Sequence, residues 1–327
     1  MHAVTISSPG GTEVLSWREV PEPSPGPGEL LVEVDAAGVN RADILQRRGL
    51  YLPPADAPAW PGLEISGRIV EVGSAVTGWE AGEPLCALLS GGGYAERVVV
   101  PVQLALPVPD GVSLREAAAL PEAAATAWSN LVDVGGLRPG ETVLVHGGSG
   151  GVGSVAVQLA AALGARVIAT ARDAERCELV RGLGADVAIS YADTDVAAAV
   201  LEETGGRGVD VVLDILGAGA LGANIESLAT GGRLVVIGLQ RGARAELDLG
   251  VLLRKRLTIA GTTLRSRPLA ERAGILAELR EHVWPLVASG LVRPVVHAEV
   301  PMDRAGEAHE LLDSGEVFGK LLLVPPR

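Results

Sequence analysis

The middle of this 327-residue chain alternates apolar runs of strand length with segments of helix length. Continuous apolar strands separated by helices are typical of a parallel sheet that is covered on both faces. The alternation predicts an α/β fold with a doubly wound sheet over residues 121–262. The predicted strands are "ETVLVHG" (141–147), "ARVIATA" (165–171), "DVAIS" (186–190), "VDVVLDI" (209–215), "GRLVVIG" (232–238) and "LTIAGT" (257–262), with helices at 152–163, 174–182, 193–203 and 221–229.

The residues on either side of this segment follow another pattern. The first part of the chain contains short β-branched runs that end in Gly and Pro, such as "ELLVEVDAAGV" (29–39). Many short strands separated by turns predict an irregular barrel or sandwich. Strand-like runs reappear near the end of the chain, so the tail is expected to return to this domain. The predicted domains are therefore 1–120 with 263–327, and 121–262.

A glycine-rich loop joins the first strand of the predicted sheet to its first helix. The stretch "HGGSGGVGSVAVQLA" (146–160) contains the pattern Gly148-x-Gly150-x-x-Gly153. Glycines at these positions permit a tight turn and leave backbone N–H groups at the helix start free to meet a pyrophosphate. In this strand–loop–helix context, the pattern predicts dinucleotide binding through Gly150, Gly151, Val152 and Gly153.

The end of the second strand bears on which dinucleotide would bind. An NAD site usually places an acid there, which bonds the ribose 2′-hydroxyl. Here the strand ends in "IATARDAER", which brings Arg172 and Arg176 to that point. Two guanidinium groups suit a 2′-phosphate, so NADPH is favoured over NADH. Asp173 would oppose the phosphate if it faced inward, whereas the alternative is a solvated cap of the next helix.

Composition limits the classes of partner and compartment. Hydrophobic residues make up 48% of the chain, which predicts a globular protein. The net charge of −13 argues against nucleic acid as a partner. The two cysteines, Cys86 and Cys177, lie far apart in sequence, so no disulfide framework is expected. No secretion signal or membrane span is recognised, and a cytoplasmic protein is expected.

Extended motifs across the whole chain resemble the zinc-independent quinone oxidoreductases, the zeta-crystallin branch of the medium-chain dehydrogenase/reductase superfamily. Besides the glycine loop, the resemblance rests on "AGVNRADILQRRGLY" (37–51), "PGLEISGRIVEVG" (61–73), "LPEAAATAW" (120–128), "DILG" (214–217), "KRLTIAGTTLRSR" (255–267) and "GKLLLV" (319–324). It implies a GroES-like substrate domain combined with a Rossmann domain.

The chain departs from the zinc-dependent alcohol dehydrogenases of the same superfamily. Those enzymes place a cysteine where this chain has Asn40, and Gly-His-Glu where it has Gly62, Leu63 and Glu64. Their four-cysteine structural lobe has no counterpart in a chain with two cysteines. Catalytic zinc needs about three protein ligands. No metal site is therefore expected, and Glu64 is expected to have a structural role.

The resemblance implies NADPH-dependent reduction of quinones, with hydride transfer from the nicotinamide and no metal. An electron-poor acceptor receives hydride at carbon while negative charge collects on oxygen, so hydrogen-bond donors would suffice. An NADPH-dependent enone or enoyl-thioester reductase is one alternative. A non-catalytic NADPH-binding protein is another.

The resemblance also assigns roles to individual residues. Asn40 would lie beside the nicotinamide and bond a substrate carbonyl, or else stabilise a turn. Tyr51 would donate a hydrogen bond or proton to the reduced oxygen, or only line the site. Asp43 is expected to order its loop. Cofactor contacts are expected from Thr126, from Tyr191 near the 2′-phosphate and from Lys320, with a helix residue, a surface tyrosine and a solvated lysine as the respective alternatives. Contacts are also expected from Gly217, Gly238, Leu239 and Gln240, because they end successive strands on the side where a doubly wound fold binds its ligand.

Expected partners are a small quinone or enone substrate and a second copy of the chain, with neither nucleic acid nor membrane. The resemblance implies pairing through the edge of the doubly wound sheet, at "GRLVVIG" or "LTIAGT". His146, which ends the first strand of that sheet, is interpreted as a hydrogen-bonded buried histidine rather than a proton shuttle.

Overall fold

The computed structural model describes residues 1–55 and 57–326. The chain divides into two units. The first unit comprises residues 1–123 and 265–327, and the second comprises residues 124–264. Each unit has its own sheet and its own buried apolar core.

In chain order, the first elements belong to the first unit, the middle elements to the second unit, and the last elements to the first unit again. The strands are β1 (His2–Ile6), β2 (Leu15–Glu19), β3 (Glu29–Gly38), β4 (Glu64–Val72), β5 (Pro84–Leu88), β6 (Arg97–Pro101), β7 (Ala105–Pro107), β8 (Thr142–Val145), β9 (Arg166–Ala171), β10 (Val187–Ser190), β11 (Val209–Asp214), β12 (Leu228–Val236), β13 (Thr258–Gly261), β14 (Val296–Pro301) and β15 (Lys320–Val324). The helices are α1 (Arg41–Arg47), α2 (Pro121–Trp128), α3 (Gly151–Ala162), α4 (Ala174–Arg181), α5 (Val196–Glu203), α6 (Leu221–Ser227), α7 (Leu249–Lys255), α8 (Leu269–Glu278), α9 (Trp284–Ala288) and α10 (Ala305–Ser314).

The first unit is built on a seven-stranded sheet of order β14-β15-β3-β4-β5-β7, in which β6 also pairs with β3. Alternate residues of the long strand β3, such as Leu30, Val32 and Val34, point into the core. The tail strand β15 pairs antiparallel with β3, with Leu322 opposite Gly38. This pairing brings the end of the chain next to the residues that precede α1.

The second unit contains a six-stranded sheet of order β10-β9-β8-β11-β12-β13. All five pairings in it are parallel. The order reverses direction between β8 and β11, which is the point where a doubly wound fold binds its ligand. The predicted α/β class with a doubly wound sheet is therefore confirmed. Of the two strands proposed for dimer pairing, β13 lies at the edge of the sheet and β12 lies inside it.

Helix caps explain where the structure departs from the predicted element bounds. Helix α5 begins at Val196 instead of residue 193, because the Asp195 carboxylate accepts the N–H groups of Ala197 and Ala198. Helix α6 ends at Ser227 and β12 starts directly at Leu228, inside the predicted helix 221–229. Among the residues that the structure describes, no helix is both long and apolar enough to span a membrane.

Candidate active site

The residues predicted to bind a dinucleotide follow the carboxyl ends of neighbouring parallel strands. Gly147 to Gly150 lie after β8, Arg172 after β9, Tyr191 after β10, Gly217 after β11 and Gly238 after β12. Because parallel strands end at the same edge of a sheet, the fold brings these residues to one edge of the second unit. Thr126 lies in α2 and is partly exposed.

The glycine loop packs backbone against backbone at the start of α3. Gly150 is the residue that caps α3, and the helix begins at Gly151. A Cβ atom at Gly153 would lie 2.0 Å from the carbonyl oxygen of Gly147, so only glycine fits there. The loop therefore presents free helix N–H groups without side chains, which is the arrangement that binds a pyrophosphate.

His146, beside the glycine loop, is fully hydrogen-bonded inside the second unit. Its Nδ1 lies 3.2 Å from Thr170 Oγ1, and its Nε2 lies 2.6 Å from Asn224 Oδ1. Burial lowers the pKa of this imidazole. The structure thus supports the interpretation of His146 as a buried, hydrogen-bonded histidine.

Asp173 lies between the two arginines predicted to bind a 2′-phosphate. Its Oδ1 accepts the backbone N–H of Arg176 at 2.9 Å, so Asp173 caps α4. Its Oδ2 lies 3.1 Å from Arg172 Nε and 3.7 Å from Arg176 Nε. The bond from the Arg176 N–H, and then the bond from Arg172, lower the pKa of the Asp173 carboxyl. The cap was predicted, whereas pairing of one carboxylate with both guanidinium groups was not.

Tyr191 stacks against an arginine that the sequence analysis did not single out. The guanidinium carbon of Arg241 lies 5.5 Å from the centre of the Tyr191 ring, a cation–π contact. Three arginines thus follow strands that end at the same edge of the sheet. Arg172 and Arg241 lie in loops, and Arg176 lies in the first turn of α4.

The remaining predicted cofactor residues form the turns after β11 and β12. Asp214 accepts the N–H groups of Leu216 and Gly217 and fixes the first turn. Leu239 and Gln240, which follow Gly238, are exposed or partly exposed. Gly238 itself lies against the backbone of Ile215, where a Cβ atom would come within 2.8 Å of a carbonyl oxygen.

In the first unit, Asn40 belongs to a buried cluster with Lys320 and Glu64. The Lys320 ammonium lies 2.5 Å from Glu64 Oε1, 2.6 Å from Asn40 Oδ1 and 3.1 Å from the carbonyl oxygen of Val39. Asn40 Nδ2 donates to Glu64 Oε1 at 2.9 Å and to the Gly38 carbonyl oxygen at 3.3 Å. The orientation of the Asn40 amide is therefore set by a cation on one side and a carboxylate on the other.

Backbone geometry makes room for this cluster. A Cβ atom at Gly38 would lie 2.3 Å from Glu64 Oε1, so glycine is required where the carboxylate reaches β3. The other oxygen of Glu64 accepts the backbone N–H of Glu122 at 2.9 Å. Both Lys320 and Glu64 are buried, so the packing around them restricts the positions that their side chains can take. The solvated-lysine alternative is wrong for Lys320, and its contact with a cofactor stays a prediction.

Asp43 orders the loop that carries Asn40, as predicted. Its carboxylate accepts the N–H groups of Asn40 at 2.8 Å and Gly62 at 2.9 Å, and the Tyr94 hydroxyl at 3.1 Å. Burial raises the pKa of Asp43 to about 6, although these donors oppose the shift. The Tyr94 hydroxyl also lies 3.4 Å from Nε2 of the buried His309.

A second group of titratable side chains surrounds Tyr51 in the same unit. The guanidinium carbon of Arg265 lies 5.5 Å from the centre of the Tyr51 ring. Burial, and then the charge of Glu122, raise the pKa of the Tyr51 hydroxyl. Burial, and then the carboxylate of Glu64, raise the pKa of Glu122 itself to about 8. Tyr51 therefore lies close to a cation and to an acid that retains its proton near neutral pH.

Asn40, Leu63 and Glu64 stand where zinc-dependent enzymes have Cys and His-Glu, and they do not fit a zinc ion, since Leu63 has no ligand atom. An ammonium already contacts both Asn40 and Glu64, and an amide is a poor zinc ligand compared with a thiolate. Within residues 1–55 and 57–326, no group of three or more His, Cys, Asp or Glu side chains is arranged to hold a metal ion.

Sequence reasoning missed Arg265, Glu122, Arg241 and Tyr94. Arg265 and Glu122 lie in quoted motifs, but no local pattern distinguishes them from neighbouring charged residues. Their role becomes visible only once β15, α2 and the segment after β13 are placed in the fold.

Comparison with known proteins agrees with this geometry. Residues 26–110 match the alcohol dehydrogenase GroES-like domain, and residues 151–281 match the zinc-binding dehydrogenase domain. A quinone oxidoreductase of Rattus norvegicus is 33% identical over 330 residues, which is 99% of this chain and 98% of the relative.

Solved structures give the same result. The Escherichia coli quinone oxidoreductase complexed with NADPH has a TM-score of 0.89 at 31% identity, covering 99% of this chain and 100% of its own. A structure described as an NAD-dependent alcohol dehydrogenase has a TM-score of 0.89 at 33% identity and full coverage of both chains. The chain belongs to the quinone oxidoreductase family of the medium-chain dehydrogenase/reductase superfamily.

Proposed function

We propose that the protein reduces quinones with NADPH, by hydride transfer to the acceptor without a metal ion. The observation that carries this proposal is the Lys320–Asn40–Glu64 cluster, because an internal ammonium contacts the residues that stand where zinc-dependent enzymes have a cysteine and the glutamate of Gly-His-Glu. A site without a Lewis acid suits an acceptor that is already electron-poor. When bound, the reduced nicotinamide supplies the hydride.

The second unit holds the cofactor in this proposal. The N–H groups of Gly151, Val152 and Gly153 at the start of α3 bind the pyrophosphate. Arg172 and Arg176 bind the 2′-phosphate, and Tyr191 lies beside them at the end of the next strand. The relative solved with NADPH favours the phosphorylated cofactor. Asp173, which pairs with both arginines, weakens their preference for it.

The first unit positions the acceptor. Lys320 and Glu64 hold the Asn40 amide in one orientation. The Tyr51 hydroxyl donates a proton to the reduced oxygen, or it forms only a wall of the site. The Tyr51→Phe variant separates these roles: a slower turnover supports the donor, and an unchanged rate leaves the ring as a wall.

Initial rates of NADPH oxidation with a panel of acceptors test the proposed function. The panel contains 1,2-quinones, 1,4-quinones, enones and enoyl thioesters, each measured with NADPH and with NADH. The proposal predicts turnover with quinones and a higher kcat/KM for NADPH than for NADH. Faster turnover of enones or enoyl thioesters than of every quinone would replace the proposed acceptor class. Tight NADPH binding without turnover of any acceptor would indicate a binding protein instead.

A further inference from the structure

We propose that Arg265 is the residue that binds the carbonyl oxygen of the acceptor and stabilises the oxyanion that forms there. This inference rests on the proposed function, because it names the group that accepts the charge produced by hydride transfer. The ligand class is a carbonyl oxygen that becomes an enolate or phenolate.

The guanidinium of Arg265 is buried and only partly hydrogen-bonded. Its Nε donates to the carbonyl oxygen of Ser90 at 2.7 Å. Its two terminal nitrogens have no hydrogen-bond partner among the described residues, although the residue is only 4% exposed. A buried donor without an acceptor destabilises the protein, and a charged donor does so more than a neutral one. A buried guanidinium whose terminal N–H groups lack acceptors is typical of a site that binds an oxygen ligand.

The surroundings of Arg265 fix the direction of its guanidinium without neutralising it. The Nε bond to Ser90 and the stacking on the Tyr51 ring hold the plane of the group. Asp43 and Glu122 are the carboxyl groups that influence it electrostatically, together with the Tyr51 hydroxyl. The pKa of Asp43 is about 6 and that of Glu122 is about 8, so at neutral pH Asp43 is largely ionised and Glu122 is largely protonated. Neither carboxyl group accepts a hydrogen bond from the terminal nitrogens of Arg265, so these donors remain available to an anion.

Asn40 is less able to serve as the donor. Its Nδ2 hydrogens are directed to Glu64 Oε1 and to the carbonyl oxygen of Gly38, and its Oδ1 accepts from Lys320. A substrate oxygen would have to displace one of these bonds. Arg265 offers two donor groups that need no such exchange.

A cationic donor at this place would stabilise the negative charge that hydride transfer puts on the acceptor oxygen. Hydride transfer would break a C–H bond of the bound reduced nicotinamide and form a C–H bond at the acceptor carbon, while the π electron pair of the acceptor moves onto its carbonyl oxygen. Arg265 binds the resulting oxyanion, and a proton from Tyr51 or solvent then gives the neutral enol. For a quinone, loss of the proton from the sp3 carbon and uptake of a proton by the second carbonyl oxygen complete the hydroquinone, a reduction by two electrons. A donor aimed at charge that develops in the transition state typically contributes about 10²–10³-fold to kcat.

Binding of 4-nitrophenol tests the inference without turnover, because its phenolate imitates the oxyanion and absorbs differently from the phenol. We expect the wild-type protein to bind the phenolate, so that the pKa of the bound probe falls below that of the free probe. We expect Arg265→Met to lose at least about tenfold in phenolate affinity. Arg265→Lys, which keeps the charge and removes the fork, is expected to lie between the two.

Arg267→Met is the matched control, since it removes the same charge two residues away. It is expected to bind the probe like the wild type. Failure of the wild type to bind the phenolate, or equal affinity in the wild type, Arg265→Met and Arg265→Lys, would overturn the inference. NADPH affinity reports whether the Arg265 variants retain their fold. Quinone turnover that persists while the probe binds equally to all variants would leave the proposed function standing and reject the role of Arg265.

Discussion

The ammonium of Lys320 lies 2.5 Å from a carboxylate oxygen of Glu64, and both side chains are buried in the first unit. Residues 256 positions apart in sequence are brought together because β15 pairs with β3. The same ammonium contacts Asn40 Oδ1 at 2.6 Å. A buried ion pair thus fixes the side chain that is expected to lie beside the nicotinamide.

Replacing Lys320 by Met should destabilise the protein and misplace Asn40. The substitution leaves Glu64 buried without its cation, which costs about 3–5 kcal/mol. Denaturant unfolding would measure this loss. The Lys320→Met, Glu64→Gln double variant should regain most of the stability, because neither partner of this ion pair then leaves an unpaired charge. It should not regain kcat for quinones, because the Asn40 oxygen still lacks its donor. Full recovery of kcat would contradict the positioning role.

Replacing Arg176 or Arg172 by Ala should weaken NADPH binding while changing NADH binding little. A bond to a charged phosphate is stronger than a neutral bond, so the expected loss in NADPH affinity is roughly tenfold or more. Fluorescence titration with each cofactor measures it. Arg181→Ala, at the opposite end of α4, removes an equal charge and serves as the control. Equal losses for both cofactors would reject the 2′-phosphate assignment.

The Asp173→Asn variant should bind NADPH more tightly. Asn caps a helix about as well as Asp, so α4 should keep its start while both arginines lose their competing carboxylate. The gain is expected to be modest, about twofold to fivefold, since the Asp173 carboxylate is solvent-exposed. The ratio of NADPH to NADH dissociation constants is the quantity to measure. A lower preference for NADPH in the variant would show that Asp173 does not oppose the phosphate.

The Gly153→Ala variant should lose affinity for both cofactors. Its Cβ atom would lie 2.0 Å from the Gly147 carbonyl oxygen, so the loop must shift away from its pyrophosphate-binding arrangement. Gly222→Ala is the control, because a Cβ atom there meets no atom within 4 Å and Ala favours a helix by about 1 kcal/mol. Unchanged affinity of Gly153→Ala for NADPH, measured beside a stable Gly222→Ala, would exclude the glycine loop from the cofactor site.

The stability of the protein should fall as pH rises from 4.5 toward 8, in part because of Glu122. Its pKa is raised from 4.5 to about 8 in the folded protein, so the folded state binds this proton more tightly than the unfolded chain. Each pH unit in that window then lowers the free energy of unfolding by about 1.4 kcal/mol at most from this group. Below pH 4.5 Glu122 is protonated in both the folded and the unfolded protein, so this group no longer lowers the free energy of unfolding.

Glu122→Gln removes the titrating group and should flatten this decline. Denaturant unfolding of the variant and the wild type across the same pH window measures the difference between them, which should grow with pH in favour of the variant. Glu202→Gln, an exposed residue of α5, is the control and should follow the wild type. A constant difference across the window would mean that Glu122 ionises normally.

The sequence predicted the parts of the fold that depend on local pattern. Apolar runs such as 209–215 and 165–171 became β11 and β9, because a strand buried on both faces needs an unbroken apolar run. The glycine loop was predictable because only glycine permits its backbone contacts. The start of α5 was misplaced because two acidic residues, Asp193 and Asp195, were available as caps.

The side-chain clusters of the site depend on pairings that no local pattern encodes. Lys320 looked like a surface or cofactor-binding residue until β15 was placed beside β3. Arg265 follows β13 without any periodic signal. That its terminal nitrogens have no hydrogen-bond partner among residues 1–55 and 57–326 is visible only in three dimensions. The pairing of Asp173 with both Arg172 and Arg176 likewise depends on side-chain geometry.

Turnover by metal-free protein tests the central claim most directly. The protein is dialysed against EDTA, its zinc content is measured by atomic emission, and NADPH oxidation with a quinone is followed before and after dialysis. Equal kcat and kcat/KM are expected in both samples, because Asn40 and Glu64 bind the Lys320 ammonium and are not arranged to hold a metal ion. Activity that falls with the zinc content and returns when zinc is added would contradict it.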